Sequence, residues 1–113
     1  MIKIYHNNRC SKSRCGLEIL ENSGKEFEIV KYLENTPSEE ELIEIINLLN
    51  ISPIQLVRKN EQIWKDNFKG KELSDSEVIK AMVDNPKLIE RPIVINGNKA
   101  VIGRPPETIK EII

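Results

Sequence analysis

Two cysteines lie close together near the N-terminus, in the segment HNNRCSKSRC that spans residues 6–15. Cys10 has three cations near it in sequence, Arg9, Lys12 and Arg14, although the whole chain has a formal net charge of −1. Such a segment allows three interpretations: a reactive thiolate in an anion pocket, a disulfide pair, or two inert sulfurs in a polar loop. The choice between these interpretations depends on the secondary-structure elements in which the two cysteines lie.

Cys10 is predicted to follow a short strand and to precede a helix. The sequence IKIY at residues 2–5 is typical of a strand, and a helix capped by Ser11 or Ser13 is predicted to run to Asn22. The positive end of a helix stabilises a thiolate, and its free N–H groups also bind small oxyanions. We therefore predict that Cys10 is a nucleophile beside an anion site, against the alternative of an inert, partly buried residue.

The second cysteine is predicted to have a structural role. Redox dithiols often have the pattern Cys-X-X-Cys, and here the second position is Ser13, which is predicted to support the thiol instead. Cys15 lies about a turn and a half along the helix from Cys10, beyond the reach of an unstrained disulfide. With Ile19 four residues further on, Cys15 is predicted to face the core. Cys10 is therefore predicted to be the single reactive thiol. Because it has no second cysteine to resolve its adducts, it needs an external reductant.

Length and composition are typical of one globular domain, residues 1–113, with 39% hydrophobic and 31% charged residues. The balance of 17 basic and 18 acidic residues does not favour nucleic acid as a partner. No apolar run approaches the roughly 20 residues that span a bilayer, and no signal peptide is recognisable. We therefore expect a cytoplasmic location, where cysteines stay reduced. One histidine and two cysteines cannot make a typical zinc site, so no metal is expected.

The order of the predicted elements indicates an α/β fold. A second strand at residues 27–33 completes a βαβ unit with a parallel strand pair. The chain then becomes helical over an insert of about residues 37–84. Asn96-Gly97 predicts a hairpin turn between two further strands, and a terminal helix with Ile109 facing inward follows. The prediction is βαβ, a helical insert and ββα, around a mixed four-stranded sheet.

Five segments match a known family in their order and spacing. They are IYHNNRCSKSR (4–14), YLENTPS (32–38), LVRKN (56–60), NPKLIERPIVI (85–95) and GRPPE (103–107). On these segments the chain resembles the ArsC family of glutaredoxin-coupled arsenate reductases almost from end to end. The resemblance implies a thioredoxin-like fold with an inserted helical subdomain. It also implies reduction of arsenate or a similar oxyanion, with glutathione and glutaredoxin as reductants and no bound cofactor.

The resemblance implies roles for individual residues as well. Cys10 stands at the position of the nucleophile, and His6 at the position of a histidine that favours the thiolate. Pro92 stands at the position of the cis-proline that faces the cysteine. The three arginines that hold the oxyanion in that family correspond to Arg58, Arg91 and Arg104. Planar guanidinium groups suit tetrahedral oxyanions because they donate paired hydrogen bonds.

Two other functions are compatible with this pattern. A glutathione-dependent thiol transferase acting on another oxyanion or on protein mixed disulfides would need Cys10 but not the arginines. A redox-responsive regulator resembling Spx, which shares the fold and binds RNA polymerase, would typically have a second cysteine where this chain has Ser13. Arsenate reduction is the preferred hypothesis.

Overall fold

The computed structural model describes residues 2–113, in which strands, α-helices and short 3₁₀ helices alternate. The strands and α-helices are β1 (Ile2–Tyr5), α1 (Ser11–Asn22), β2 (Phe27–Val30), α2 (Glu39–Leu49), α3 (Gln62–Asn67), α4 (Asp75–Asp84), β3 (Ile93–Asn96) and β4 (Lys99–Ile102). The 3₁₀ helices are Pro53–Leu56, Pro86–Leu88 and Pro106–Glu111. The described chain divides into two compact units: the sheet unit, residues 2–35 with 91–113, and the helical unit, Thr36–Glu90.

The sheet unit contains a mixed four-stranded sheet in the order β2-β1-β3-β4. β1 runs parallel to β2 and antiparallel to β3, while β3 and β4 form an antiparallel hairpin. Ile4 in the middle of the sheet is fully buried and pairs with Ile29 on one side and with Val94 on the other. The predicted α/β class and mixed sheet are confirmed.

Helix α1 packs in the sheet unit through a narrow stripe of residues. Ser13, Gly16 and Leu20 are buried, and their spacings of three and four residues place them on one face of a helix. Leu20 joins Ile4 of the sheet and Ile109 of the last 3₁₀ helix in one hydrophobic cluster. This packing fixes the first turn of α1 next to the loop that leaves β1.

The helical unit is built from α2, α3 and α4 with two of the 3₁₀ helices. Ser38 caps α2 by accepting a hydrogen bond from the Glu41 N–H at 3.2 Å, and Ser74 forms a capping box with Glu77 at the start of α4. The buried side chains of α2 and α4, which pack together, are Leu42, Ile45, Ile46, Val78, Ile79, Ala81 and Met82. From the serines that precede acidic residues and from the apolar spacing, the sequence predicts the capping residues and apolar faces of both helices, and the structure confirms them.

The helical unit contains the insert that the sequence predicts over residues 37–84 and extends it at both ends. On the C-terminal side the extension includes the Pro86–Leu88 3₁₀ helix, in which Leu88 is fully buried. A single β-bridge between Val57 and Ile89 closes this part of the unit. The assignment of the whole chain to one domain stays a prediction.

Three local predictions differ from the structure. Strand β2 ends at Val30 rather than at residue 33, because the chain turns at Lys31, whose carbonyl accepts two N–H groups from the residues that follow. The hairpin loop is Gly97-Asn98, one residue later than predicted, with Gly97 at a φ of 62°. A positive φ at the first central residue is typical of type II′ turns. The predicted terminal helix is a six-residue 3₁₀ helix.

Candidate active site

Cys10 is the N-cap residue of α1, with extended backbone angles of φ −98° and ψ 121°. The prediction that Ser11 or Ser13 caps the helix is therefore wrong: Ser11 is the first helical residue, and Ser13 is buried in the first turn. The Cys10 carbonyl accepts the Arg14 N–H at 3.0 Å, as the carbonyl of an N-cap residue does. The thiol thus lies where the unpaired N–H groups of a helix start are found.

Two arginines that are distant in sequence meet this thiol. Nη2 of Arg104 donates a hydrogen bond to Sγ of Cys10 at 3.3 Å, and Nε of Arg104 donates one to the carbonyl oxygen of Arg91 at 2.7 Å. Arg91 is only 9% exposed, and its side chain also donates to the Cys10 sulfur. The sulfur is therefore in contact with two guanidinium groups, one from just before β3 and one from just after β4.

The pKa of the Cys10 thiol lies below its ordinary value. Burial raises this pKa, but the backbone N–H of Ser13, the hydrogen bond and charge of Arg91, and the backbone N–H of Lys12 together outweigh burial and lower it. Because the thiolate is the nucleophilic form of cysteine, the lowered pKa increases the reactive fraction at neutral pH.

The cations that neighbour Cys10 in sequence contribute less directly than predicted. Arg9, Lys12 and Arg14 are all exposed, and the Arg14 guanidinium donates to a backbone carbonyl of the same loop at 3.0 Å. Lys12 acts on the thiol through its backbone N–H. The charge that stabilises the thiolate comes from the distant part of the chain.

His6 reaches the site through Ser13. The ring is 4% exposed, and its Nδ1 shares a hydrogen bond of 2.6 Å with Oγ of Ser13, which also accepts the Asn7 N–H at 3.0 Å. Burial lowers the pKa of His6, and the charges of Lys31 and Arg14 add to this effect, so the imidazole is neutral at about pH 7. Through Ser13, the His6 ring contacts the first turn of α1, and its role in favouring the thiolate stays a prediction.

The peptide bond before Pro92 is cis. Two glycines face the Pro92 ring: a Cβ would lie 2.9 Å from Pro92 Cγ if it were added at Gly16 of α1, and 2.8 Å if it were added at Gly103. These contacts bring α1 and the segment that carries Arg104 close to the proline. Neither glycine was predicted from the sequence, although a glycine inside a helix is unfavourable and often marks close packing.

Arg58, the third predicted arginine, belongs to the helical unit. Its Nη1 lies 3.0 Å from Oε1 of Glu61, and its Nε lies 3.5 Å from Oε1 of Glu90. Its backbone N–H donates to the carbonyl of Leu88 at 2.7 Å. Two carboxylates therefore orient this guanidinium group within its own unit, and its role in holding an oxyanion stays a prediction.

Comparison with known proteins identifies the family. The ArsC family profile matches residues 5–112 of the chain. The chain belongs to the ArsC family. It is 47% identical over 114 residues to the uncharacterized protein YfgD of Escherichia coli (strain K12), with 99% of this chain and 96% of that one covered. It is 47% identical over 112 residues to an arsenate reductase of Haemophilus influenzae, with 97% of each chain covered.

A solved structure agrees with this assignment. The arsenate reductase from Vibrio cholerae superposes with a TM-score of 0.94 at 44% identity, covering 99% of this chain and 97% of that one. The thioredoxin-like fold that the sequence resemblance implies is confirmed.

The predicted burial of Cys15 is wrong in this ArsC-family chain. The sequence predicts a core residue, but Cys15 is exposed, and both cysteines are free. The buried stripe of α1 passes through Gly16, and one residue along a helix rotates a side chain by about 100°. Ile19, the neighbour that suggested burial, is itself only partly buried.

Two residues not singled out from the sequence also border the site. Asn7 shapes the loop, since its carbonyl accepts the Cys10 N–H at 3.0 Å and its Oδ1 accepts the Arg9 N–H at 3.0 Å. Tyr32 is 1% exposed; burial raises its pKa, while Arg91 and Asn7 lower it in part. Asparagine in a loop before a helix is a recognisable turn signal, whereas nothing in the sequence separates Tyr32 from a surface aromatic.

Across residues 2–113, no group of three or more His, Cys, Asp or Glu side chains is arranged to hold a metal ion. In the same range, none of the helices has the length and apolar character needed to cross a membrane.

Proposed function

We propose that this ArsC-family protein reduces arsenate to arsenite through Cys10, with glutathione and glutaredoxin as reductants. The observation that carries the proposal is the Cys10 sulfur in contact with the guanidinium groups of Arg91 and Arg104. Arsenate is a tetrahedral oxyanion, and guanidinium groups bind such anions through paired, charge-assisted hydrogen bonds. Relatives named arsenate reductase, 40–47% identical over nearly their whole length, support this substrate.

In the first step the Cys10 thiolate attacks the arsenic of bound arsenate. An S–As bond forms and an As–O bond breaks, and the departing hydroxide takes up a proton to leave as water, so arsenic remains As(V). Arg91 and Arg104, with Arg58 as the third proposed ligand, stabilise the negative charge as it moves. His6, through Ser13, keeps the helix start in the geometry that presents the sulfur.

Reduction itself needs two electrons, which one thiol cannot supply. Glutathione displaces a second arsenic-bound hydroxyl as water and forms an As–S bond. A glutaredoxin thiolate then attacks the glutathione sulfur, a disulfide forms, and the electron pair of the As–S bond reduces As(V) to As(III). Water releases arsenite and restores Cys10. The proposal includes a cytoplasmic location, because the cytosol keeps thiols reduced.

An assay of glutathione oxidation with arsenate and glutaredoxin tests the proposal. The Cys10→Ser variant should lose turnover by a factor on the order of 10³, because no other group replaces the nucleophile. Cys15→Ser, on the same helix, is the matched control and should stay within about twofold. Arsenate-dependent turnover that survives in Cys10→Ser would refute the mechanism.

A glutathione-dependent thiol transferase is the second candidate, because the lowered pKa of Cys10 would suit that reaction too. The two functions differ in their need for an oxyanion ligand. Arg104→Ala should impair arsenate reduction about tenfold more than it impairs reduction of a glutathionylated peptide. Equal losses on both substrates would favour the transferase. The Spx-like regulator gains no support, since Ser13 occupies the position of its second cysteine and is fully buried.

A further inference from the structure

A cleft with a cavity volume of about 310 Å³ lies beside the cysteine loop in the sheet unit. One wall is formed by residues 6–9, which lead directly into Cys10, and the other by Lys31, Leu33 and Glu34 from the segment after β2. Apart from His6, the residues of this cleft have no part in the proposed attack on arsenate.

The charged side chains of the cleft form a definite pattern. Arg9 and Lys31 supply two cations, and Glu34 supplies one carboxylate. Among the described residues, none of these three side chains makes an ion pair or a side-chain hydrogen bond. All three are therefore available to a ligand that carries two negative groups and one positive group.

His6 also lines the cleft and presents its second ring nitrogen there. Its ring lines the cleft and is 4% exposed, and its Nδ1 is occupied by Ser13. Within residues 2–113, Nε2 of His6 makes no hydrogen bond to the protein. Nε2 is not among the side-chain nitrogens that are buried without a partner, so it faces the solvent of the cleft, where a ligand group can reach it.

We propose that this cleft is the binding site for glutathione, and the inference rests on the proposed function. Glutathione carries two carboxylates and one ammonium group, which complement the charges of Arg9, Lys31 and Glu34. Leu33, which is 37% exposed, offers an apolar surface to the methylene groups of the γ-glutamyl arm. The side-chain amide of Asn8, an exposed residue that lines the cleft, can pair with a peptide group of the ligand.

The 6–9 wall of the cleft leads directly into Cys10, so an extended ligand in the cleft is directed toward the thiol. A tripeptide spans roughly 10 Å when extended, so glutathione bound along the 6–9 loop can place its thiol at the sulfur of Cys10. In the cleft its thiol attacks the arsenic of the Cys10 adduct: an As–S bond forms, an As–O bond breaks, and the thiol proton leaves with the hydroxyl as water. Arsenic stays As(V) until the glutaredoxin thiolate attacks the sulfur of the arsenic-bound glutathione.

Binding is tested with S-methylglutathione, which cannot react, titrated into the whole chain while backbone amide NMR shifts are followed. Shifts should concentrate in residues 6–9 and 31–34. The Lys31→Glu variant should weaken binding by about three- to tenfold, as expected for reversing an exposed charge that contacts the ligand. Lys31→Arg should bind as the unmodified chain does. Lys99→Glu, at an exposed lysine of the hairpin, is the matched control and should bind within about twofold. Equal weakening in both glutamate variants, or no shifts in the cleft, overturns the site.

The arsenate assay supplies the second readout. Lys31→Glu should raise the glutathione KM by the same factor as the binding loss, while the control Lys99→Glu should leave the glutathione KM within about twofold of that of the unmodified chain. If S-methylglutathione binds in the cleft and the chain does not reduce arsenate, the glutathione site stands and the proposed function fails. If arsenate is reduced and the cleft binds nothing, the glutathione site fails and the proposed function stands.

Discussion

The two cysteines of α1 are five residues apart in sequence and lie in different surroundings. Cys10 is partly buried at the N-cap, where Arg91 and Arg104 contact its sulfur. Cys15 is exposed in the second turn, in an open groove that also contains Lys12. The difference teaches that proximity in sequence to cations and to a helix start does not by itself bring guanidinium groups to a sulfur. The residues that distinguish Cys10 come from both ends of the β3–β4 hairpin.

Among the substitutions that test this comparison, the largest expected effect comes from removing the distant charge. Arg91→Ala should lower kcat/KM for arsenate by about a hundredfold, because a buried donor that stabilises both the thiolate and the moving charge is lost. Arg91→Lys should recover only part of this, since lysine keeps the charge but loses the planar fork. The control is Lys12→Ala, which removes the cation nearer in sequence but keeps its backbone N–H. A larger loss in Lys12→Ala than in Arg91→Ala would contradict the comparison.

The packing that holds Cys10 near the arginines can be disturbed at Gly16. An added Cβ would lie 2.9 Å from Cγ of Pro92, so Gly16→Ala should lower the free energy of unfolding by up to about 2 kcal/mol, the overpacking cost less the gain in helix propensity. Urea unfolding measures this free energy. The control is Glu18→Ala on the exposed face of α1, whose free energy of unfolding should stay within about 0.5 kcal/mol of that of the unmodified chain. A stabilised Gly16→Ala protein would show that the close approach to Pro92 does not constrain α1.

Alkylation compares the two thiols directly. Because its pKa is lowered, Cys10 remains thiolate at lower pH than an ordinary cysteine. At mildly acidic pH, iodoacetamide should modify Cys10 on the order of tenfold faster than Cys15, although Cys15 is the more exposed of the two. Mass spectrometry of the digested protein measures both rates in one sample. Faster labelling of Cys15 would reverse the assignment.

The smallest expected effect concerns the support given by Ser13. Ser13→Ala keeps the backbone N–H that favours the thiolate but removes the Oγ that pairs with His6 and accepts the Asn7 N–H. Loss of this buried polar contact should slow alkylation of Cys10 by about threefold. Ser11→Ala, at an exposed position in the same turn, should leave the rate unchanged. An equal effect of both substitutions would mean that the His6 contact does not position the thiol.

Much of the fold follows from local patterns. Several features depend only on neighbours within a few residues, so the sequence predicts them. They are the strand at residues 2–5, the caps at Ser38 and Ser74, and the apolar faces of α2 and α4. The end of β2 and the hairpin loop were misplaced because turn positions depend on strand pairing, which short-range patterns do not specify.

The site was predictable to a smaller extent. Cys10 was identified from its position before a helix, and the arginines entered through the family resemblance, because their approach to the sulfur depends on tertiary contacts between Cys10 and the far end of the chain. Cys15 was misplaced because one apolar neighbour four residues away does not define the buried face of a helix that also contains Gly16. The buried hydroxyl of Ser13 could not be inferred from a serine that resembles a cap.

The most direct test is an ultraviolet absorbance titration of thiolate formation in Cys15→Ser, with the Cys10→Ser, Cys15→Ser double variant as baseline. The titration should show a Cys10 pKa below that of ordinary cysteine. Sulfate should raise that pKa, because a bound dianion would compete with the thiolate for Arg91 and Arg104. A pKa at or above the ordinary value that does not respond to sulfate would contradict a shared site for the nucleophile and the oxyanion.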